Sequence, residues 1–143
     1  MKPLPHRYAA RIAGTWEGYA TLSSPGVPEL RTAAPPEFDG PGDAWSPEQL
    51  LLGAVASCFL LTFRAVARAS RLEFVSLSVE TEGFVDRAHG VTRFTDIVLH
   101  PHLTLAVPAD RERAERVLEK AERACLVSAS LETPVRLEAQ ITE

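Results

Sequence analysis

The feature that most constrains this chain is an uncharged run of about 14 residues, Leu50 to Phe63, which follows a helix-start signal. In that signal, Ser46 is a favoured N-cap, Pro47 suits the first helical position and Gln49 completes a capping box. We therefore predict a long helix that starts at Pro47 and runs to about Arg71.

The first half of this predicted helix is apolar on nearly every face, so a sheet from the same chain would cover only one side of it. The run falls short of the roughly 20 apolar residues that a membrane span needs, which favours a buried core helix. Small residues at Gly53, Ala54 and Ser57 would allow another helix to approach closely. We expect that helix to come from a second copy of the chain in a homodimer, although a second helix of the same chain would serve equally.

The remaining segments predict an α+β fold in a single domain spanning residues 1–143. Period-two alternation of apolar and polar residues predicts strands at both ends and in the middle of the chain, with a turn near His89-Gly90. An i, i+3/i+4 apolar stripe predicts a second helix over residues 110–124 that ends at Cys125. The long helix would pack against an antiparallel sheet, whose predicted strands lie within residues 8–22, 30–33, 75–80, 97–105 and 135–141.

The overall composition excludes several classes of protein. The chain has 143 residues, a net charge of −4 and 45% hydrophobic residues, which fit a folded domain and lack the basic surface of a nucleic-acid-binding protein. The N-terminus has no apolar stretch of the kind found in signal peptides, so we expect a cytoplasmic protein without a nucleic-acid or membrane partner. Its two cysteines are too few for a disulfide scaffold or a four-cysteine zinc site, but enough for one redox pair.

The two cysteines are the candidate reactive residues. Cys58 lies about three turns into the long helix and Cys125 ends the inward stripe of the second helix, so both thiols should point toward the same interior. If they approach closely, a sulfenic acid formed on one could condense with the other to a disulfide. The alternative is that each cysteine is a small buried hydrophobic residue.

Thiolate chemistry at Cys58 would also need a nearby positive charge, and a carboxylate that orients this charge would help. Glu48 is the candidate carboxylate, although an acidic residue in the first helical turn also interacts favourably with the helix dipole. One straight helix would place Glu48 roughly 15 Å from Cys58 along its axis. Glu48 could therefore serve Cys58 only if the helix bends or if the two residues come from different subunits.

Other side chains that could carry chemistry have simpler interpretations. Arg11 and Arg31 are candidates for the positive charge, but each could also be a solvated surface residue. His100 and His102 share the polar face of one strand without a nearby third ligand, so we expect no metal site.

The residues around both cysteines resemble the two motifs of the OsmC/Ohr family. SPEQLLLGAVASCFLLTF is similar to that family's helix, in which a proline–glutamate pair and two leucines precede a cysteine. AERACLVSASL is similar to the second motif, a helix that ends in a cysteine followed closely by serine. PPEFDGPGDAW resembles the glycine-rich loop before the first helix, and the order of elements matches over essentially the whole chain.

This resemblance implies an OsmC-like fold in an intertwined homodimer, with two active sites at the subunit interface. It implies thiol-dependent reduction of organic hydroperoxides or hydrogen peroxide, with Cys58 as the peroxidatic cysteine and Cys125 as the resolving cysteine. Glu48 would be the carboxylate that pairs with a thiolate-stabilising arginine. The reductant would be a dithiol of the lipoyl type, and the family uses no metal or tightly bound cofactor.

The chain departs from the family at the arginine. Ohr-type proteins carry it in the first hairpin, where this chain has residues 17–20, Glu-Gly-Tyr-Ala. OsmC-type proteins carry it before the phenylalanine of the loop, where this chain has Glu37. Arg11 or Arg31 would have to substitute from a shifted position.

Two other functions are compatible with the sequence. A long apolar helix wrapped by a sheet can also form a cavity, so the protein could bind a hydrophobic small molecule without catalysis. A hotdog-type thioesterase shares the helix-in-sheet plan, but here the helix offers only Glu48 near its start. We therefore expect a cysteine-based peroxide reductase and retain the non-catalytic binding protein as the alternative.

Overall fold

The computed structural model describes all 143 residues, which form two compact units, Met1–Leu50 and Leu51–Glu143. The fold is α+β, as predicted, and two short 3₁₀ helices cover Pro36–Phe38 and Pro108–Asp110. In chain order the strands and α-helices are β1 Arg11–Ala13, β2 Ala20–Ser23, β3 Leu30–Thr32, α1 Pro47–Ala69, β4 Phe74–Ala88, β5 Val91–Leu105, α2 Arg111–Ala124, α3 Leu126–Ala129, β6 Val135–Leu137 and β7 Gln140–Thr142.

The first unit contains a three-stranded antiparallel sheet in the order β1-β2-β3. Alternation predicted one strand over residues 8–22, but β1 and β2 are two short strands of a hairpin, so Tyr8 and Trp16 lie outside both. The chain turns between them at Gly18, whose φ of 89° is a conformation that favours glycine. The proline- and glycine-rich segment after β3 is irregular as predicted, apart from its 3₁₀ turn at Pro36–Phe38.

The second unit is built on a long antiparallel hairpin of β4 and β5, each of 15 residues. His89 and Gly90 close it with φ of 51° and 79°, because a tight turn with positive φ matches the twist of the flanking strands. The turn was predicted at this place, although both strands are longer than their alternating segments. β6 and β7 add to the other edge of β5 in parallel, which makes the sheet mixed rather than purely antiparallel.

The last predicted strand, residues 135–141, is divided into β6 and β7. The Ile97 N–H donates to the Pro134 carbonyl at 3.1 Å, and the Leu99 carbonyl accepts from the Glu138 N–H at 2.8 Å. The next residue of β5 that faces this edge is Pro101, which has no N–H to donate. Because Pro101 of β5 cannot donate, the hydrogen-bond ladder along this edge of β5 is interrupted between β6 and β7.

Helix α1 begins as predicted and is uninterrupted from Pro47 to Ala69. The Gln49 N–H donates to Ser46 Oγ at 3.1 Å, and the Ser46 N–H donates to Gln49 Oε1 at 3.1 Å, which is the predicted capping box. The helix ends two residues before the predicted Arg71, because Arg71 takes the left-handed conformation, with φ of 55°.

By length and composition, α1 could cross a membrane, since its mean hydropathy reaches 2.0 over an 18-residue window. This is weak evidence, because the core helices of water-soluble proteins have the same properties. The buried side chains of α1 belong instead to the hydrophobic core of the second unit, together with the predicted stripe of α2 and the inward side chains of β5. The core residues from these three elements are Val55, Phe59, Phe63, Ala67, Ala114, Val117, Leu118, Ala121, Ile97, Leu99, Leu103 and Leu105.

Candidate active site

The structure brings Cys58 and Cys125 together. Cys58 lies in the middle of α1 and is half-buried, whereas Cys125 directly follows α2 and is only 1% exposed. Both cysteines are free thiols, and they lie near enough for each to shift the pKa of the other, with the Cys125 thiol stabilising the Cys58 thiolate as a donor. The prediction that the two helices direct their cysteines toward one interior is therefore confirmed.

The backbone around Cys125 completes the surroundings of Cys58. Cys125 has an extended conformation, with φ of −69° and ψ of 110°, so the chain leaves α2 there and begins α3 at Leu126. The first N–H groups of a helix have no partner within the helix. Those of Leu126 and Val127 lie near the Cys58 sulfur and stabilise its thiolate, which lowers the pKa of Cys58.

The pKa of the Cys58 thiol is lowered from its usual value. Burial alone would raise this pKa, because it penalises the charged thiolate, but hydrogen bonds that stabilise the thiolate outweigh it. All of them come from neutral donors: the Val127 backbone, the Cys125 thiol, the Thr62 hydroxyl and the Leu126 backbone.

The pKa of the Cys125 thiol moves in the opposite direction. Burial raises this pKa most, and it outweighs the hydrogen bonds from the Ser128 side chain, at 3.4 Å, and the Ser128 backbone. The hydrogen bond and negative charge of Cys58 raise the pKa further. As pH rises, Cys58 therefore loses its proton before Cys125 does. Cys125 remains a protonated thiol beside the Cys58 thiolate.

The sequence did not reveal which groups stabilise the thiolate. It indicated a need for a positive charge, whereas Thr62, Leu126 and Val127 supply neutral donors. The signal for Thr62 was its position four residues after Cys58, where helical side chains are neighbours. In the structure, Cys58 Sγ and Thr62 Oγ1 are 3.9 Å apart. Nothing in residue type could identify the backbone donors, because their direction depends on the backbone conformation at Cys125.

Glu48 lies in the first turn of α1, and the unbroken helix separates it from Cys58 by about 15 Å along the axis. The bend that would bring these two residues together along one helix is absent. Its Oε1 atom is nevertheless buried and has no hydrogen-bond partner in the chain. A buried carboxylate oxygen without a donor is energetically costly, so this atom is suited to receive a donor from outside the chain.

The two candidate arginines differ in how they are held within the first unit. The Arg31 guanidinium lies 4.2 Å from the ring centroid of Tyr19, and its Nη2 atom donates to the Asp43 carbonyl at 3.2 Å. The Tyr19 hydroxyl donates to the carboxylate of the same residue, Asp43, at 2.7 Å, which is the main reason that the pKa of Tyr19 is raised. Arg31 is thus held beside the segment that leads into α1, whereas Arg11 is an exposed residue of β1 without an ion pair.

Of the two histidines on the polar face of β5, His100 lies next to two carboxylates. His100 Nε2 lies 2.6 Å from Glu82 Oε1, and its Nδ1 lies 3.5 Å from Glu138 Oε2. His102 is exposed on the same face.

Comparison with known proteins identifies the family. Residues 40–140 match the family model described as OsmC-like protein, a range that includes both cysteines and Glu48. This chain belongs to the OsmC-like family. Among curated proteins, the chain is similar to uncharacterized protein YmaD of Bacillus subtilis (strain 168), which is 35% identical over 107 residues, covering 73% of this chain and 71% of YmaD.

Solved structures show that the OsmC-like fold is shared. An OsmC-like protein of unknown function from Vibrio cholerae has a TM-score of 0.88 at 19% identity, covering 95% of this chain and all of that one. An organic hydroperoxide resistance protein from Elizabethkingia anophelis has a TM-score of 0.78 at 20% identity, covering 100% and 99% of the two chains. An organic hydroperoxide resistance protein OsmC from Legionella pneumophila has a TM-score of 0.74 at 23% identity, covering 99% and 100%.

The hydrogen bond from Cys125 can be tested through the reactivity of Cys58. Cys125→Ala removes this donor and should slow alkylation of Cys58 at neutral pH by about 2–10-fold, since one neutral hydrogen bond contributes roughly 0.5–1.5 kcal/mol. Cys125→Ser keeps a donor and should retain a rate closer to that of the wild type. The measurement is the pH dependence of iodoacetamide labelling in the two variants, where Cys58 is the remaining thiol. Equal pH profiles would show that the bond does not tune Cys58.

Proposed function

We propose that this OsmC-like protein is a thiol peroxidase that reduces organic hydroperoxides or hydrogen peroxide. The observation that carries the proposal is the pair of neighbouring free thiols, in which the pKa of Cys58 is lowered and that of Cys125 is raised. A lowered pKa makes Cys58 the nucleophile. Cys125, which stays protonated next to it, is a suitable resolving thiol.

In the proposed reaction, the Cys58 thiolate attacks one oxygen of the peroxide and the O–O bond breaks. The other oxygen leaves with the electron pair of that bond and takes a proton from water, which gives an alcohol or water. Cys58 is thereby oxidised to a sulfenic acid. The Cys125 sulfur then attacks the Cys58 sulfur, its proton and the hydroxide leave as water, and a Cys58–Cys125 disulfide forms.

A dithiol of the lipoyl type would complete the cycle. One of its thiolates attacks the disulfide to form a mixed disulfide, and its second thiol displaces the protein thiol, so that the reductant ends as a cyclic disulfide. Two electrons pass from the dithiol to the protein, which regains both thiols. The cytoplasm is the compartment that suits this cycle, because its reducing systems keep protein cysteines and small dithiols reduced.

We propose that Glu48 acts from the partner subunit by holding an arginine next to Cys58. The support is the buried Oε1 atom that lacks a donor, and the axial distance of about 15 Å that separates Glu48 from Cys58 within one helix. Arg31 is the stronger candidate for this arginine, because its guanidinium is already held near the start of α1 by Tyr19 and Asp43. Arg11 is the second candidate.

The protein is expected to form a homodimer. Within the first unit, Ile12 is 59% exposed and Trp16 is 90% exposed, and Leu61 of α1 is 55% exposed. Large apolar side chains that are this exposed to solvent are suited to an interface between two copies of the chain. Sedimentation equilibrium should give about twice the chain mass of 15.6 kDa. A mass of one chain at micromolar concentration would exclude active sites shared between subunits.

The peroxidase activity is tested by stopped-flow mixing of the reduced protein with cumene hydroperoxide or hydrogen peroxide. We expect peroxide-dependent oxidation of a lipoyl dithiol, and a Cys58–Cys125 disulfide in the protein sampled before the dithiol is added. The names of the Elizabethkingia and Legionella proteins make an organic hydroperoxide the first substrate to assay. Failure to consume either peroxide with fully reduced thiols would refute the proposal.

A further inference from the structure

A groove at the carboxyl end of α1 has an unusual concentration of positive charge. Arg64, Arg68 and Arg71 line one side of this groove, which has a volume of about 830 Å³. Arg64 and Arg68 are four residues apart and therefore share one face of α1, and Arg71 lies two residues beyond the end of that helix. The volume lies in the range of small-molecule sites in proteins, which is roughly 300–1,000 Å³.

These three arginines form no ion pair in a chain whose net charge is negative. By contrast, Arg113 and Arg116 of α2 both lie beside carboxylates. Cations near a helix C-terminus interact favourably with the helix dipole, but like charges four residues apart repel each other. A bound anion with several charges would remove this repulsion.

The backbone at the Arg71 end of the groove is held by two hydrogen bonds. The Leu72 N–H donates to the Ala67 carbonyl at 2.8 Å, which closes the helix end, and Arg113 Nη1 donates to the Arg71 carbonyl at 3.3 Å. These bonds hold the left-handed conformation at Arg71, an uncommon one for a residue other than glycine or asparagine. The backbone that carries Arg71 is therefore held from both α1 and α2.

Apolar residues form much of the remaining lining of the groove. Leu72 is buried, Phe74 is half-buried, and Ala106 follows β5 directly. Glu73 is the carboxylate among the lining residues. The site therefore offers a cationic wall for an anion and an apolar surface for an organic group.

We propose that this groove binds a small organic diphosphate, such as a nucleoside diphosphate. Guanidinium groups bind phosphate oxygens in a bidentate manner, and a row of three arginines matches the several charges of a diphosphate better than a single phosphate. The diphosphate lies along Arg64, Arg68 and Arg71, and the organic group contacts Leu72, Phe74 and Ala106. The proposal is independent of the thiol chemistry at Cys58.

Isothermal titration of the whole protein with ADP, inorganic pyrophosphate and inorganic phosphate tests this site. We expect ADP to bind most tightly, pyrophosphate less tightly, and phosphate at least about tenfold more weakly than ADP, because it engages fewer guanidinium groups. Arg64→Gln combined with Arg68→Gln should weaken ADP binding by about tenfold or more. The control Arg116→Gln removes the same type of charge from an exposed pair of α2 and should change binding by less than about twofold.

Several results would overturn the proposal. One is the absence of saturable ADP binding to the wild type, and another is an equal loss of affinity in the double variant and in the Arg116 control. Equal affinities for pyrophosphate and ADP would also count against it, because the apolar surface would then contribute nothing. If the double variant fails to fold, amide chemical shifts of the wild type decide. ADP should shift residues 68–74 and Ala106, and shifts confined to other residues would refute the site.

Discussion

Replacing Cys58 by serine is expected to slow peroxide reduction by at least about 1000-fold, because a serine hydroxyl is not ionised at neutral pH and cannot form a sulfenic acid. The side chain keeps nearly the same shape, and Thr62 and the amides of α3 can still donate to the hydroxyl oxygen. The loss would therefore report the chemistry of the sulfur rather than a change in folding. The rate is measured by stopped-flow consumption of cumene hydroperoxide by reduced protein.

The matched control for this experiment is Cys125→Ser, which retains a hydrogen-bond donor beside the nucleophile. It should complete one oxidation of Cys58 and accumulate a sulfenic acid that a cyclic diketone reagent traps. It should then fail to form the intramolecular disulfide. A Cys58→Ser protein that still reduces peroxide at the wild-type rate would contradict the mechanism. Equal loss in both variants at the first oxidation step would contradict the assignment of distinct roles.

Truncation of Phe63 to alanine is expected to lower the free energy of unfolding by about 3–5 kcal/mol, the usual cost of removing a large side chain from a packed core. Phe63 is 0% exposed, and its ring packs edge to face against Phe74, with 5.2 Å between centroids. The same ring lies 6.5 Å from that of Phe59 one turn earlier in α1. The substitution therefore leaves a cavity that these neighbours can fill only in part.

Phe84→Ala is the control for the core substitution, because it removes the same atoms from a residue of β4 that is 51% exposed. It should cost much less, on the order of 1 kcal/mol, since little apolar area is buried at that position. Both values come from equilibrium unfolding in urea, monitored by circular dichroism. Similar losses for the two variants would show that Phe63 does not lie in the core that the structure describes.

The elements with strong local signals were predictable from the sequence. The capping residues Ser46 and Gln49 fixed the start of α1, and the apolar stripe of α2 identified which residues are buried and where Cys125 points. His89-Gly90 located the turn of the long hairpin. In each case the deciding information lies within a few residues of the element itself.

The rest depends on groups that are distant in sequence or on backbone geometry. The division between β6 and β7 is caused by Pro101 on the adjacent strand, so alternation within residues 135–141 could not reveal it. The amides that lower the pKa of Cys58 are directed by the backbone angles at Cys125, which residue type does not specify. The donor that we propose for Glu48 comes from a second copy of the chain, so neither spacing nor alternation along one chain could identify it.

The junction between α2 and α3, where Cys125 lies, can accommodate the backbone movement that the proposed disulfide requires. A disulfide requires the two sulfurs to be about 2.05 Å apart, closer than two free thiols approach, so one cysteine must move toward the other. Because Cys125 is outside both helices, this movement can be taken up by its own backbone angles without unwinding α2. Oxidation would also remove the charge to which Leu126 and Val127 donate. The four-residue helix α3 would thus be less firmly held in the disulfide form than in the thiolate form, and reduction would tighten it again.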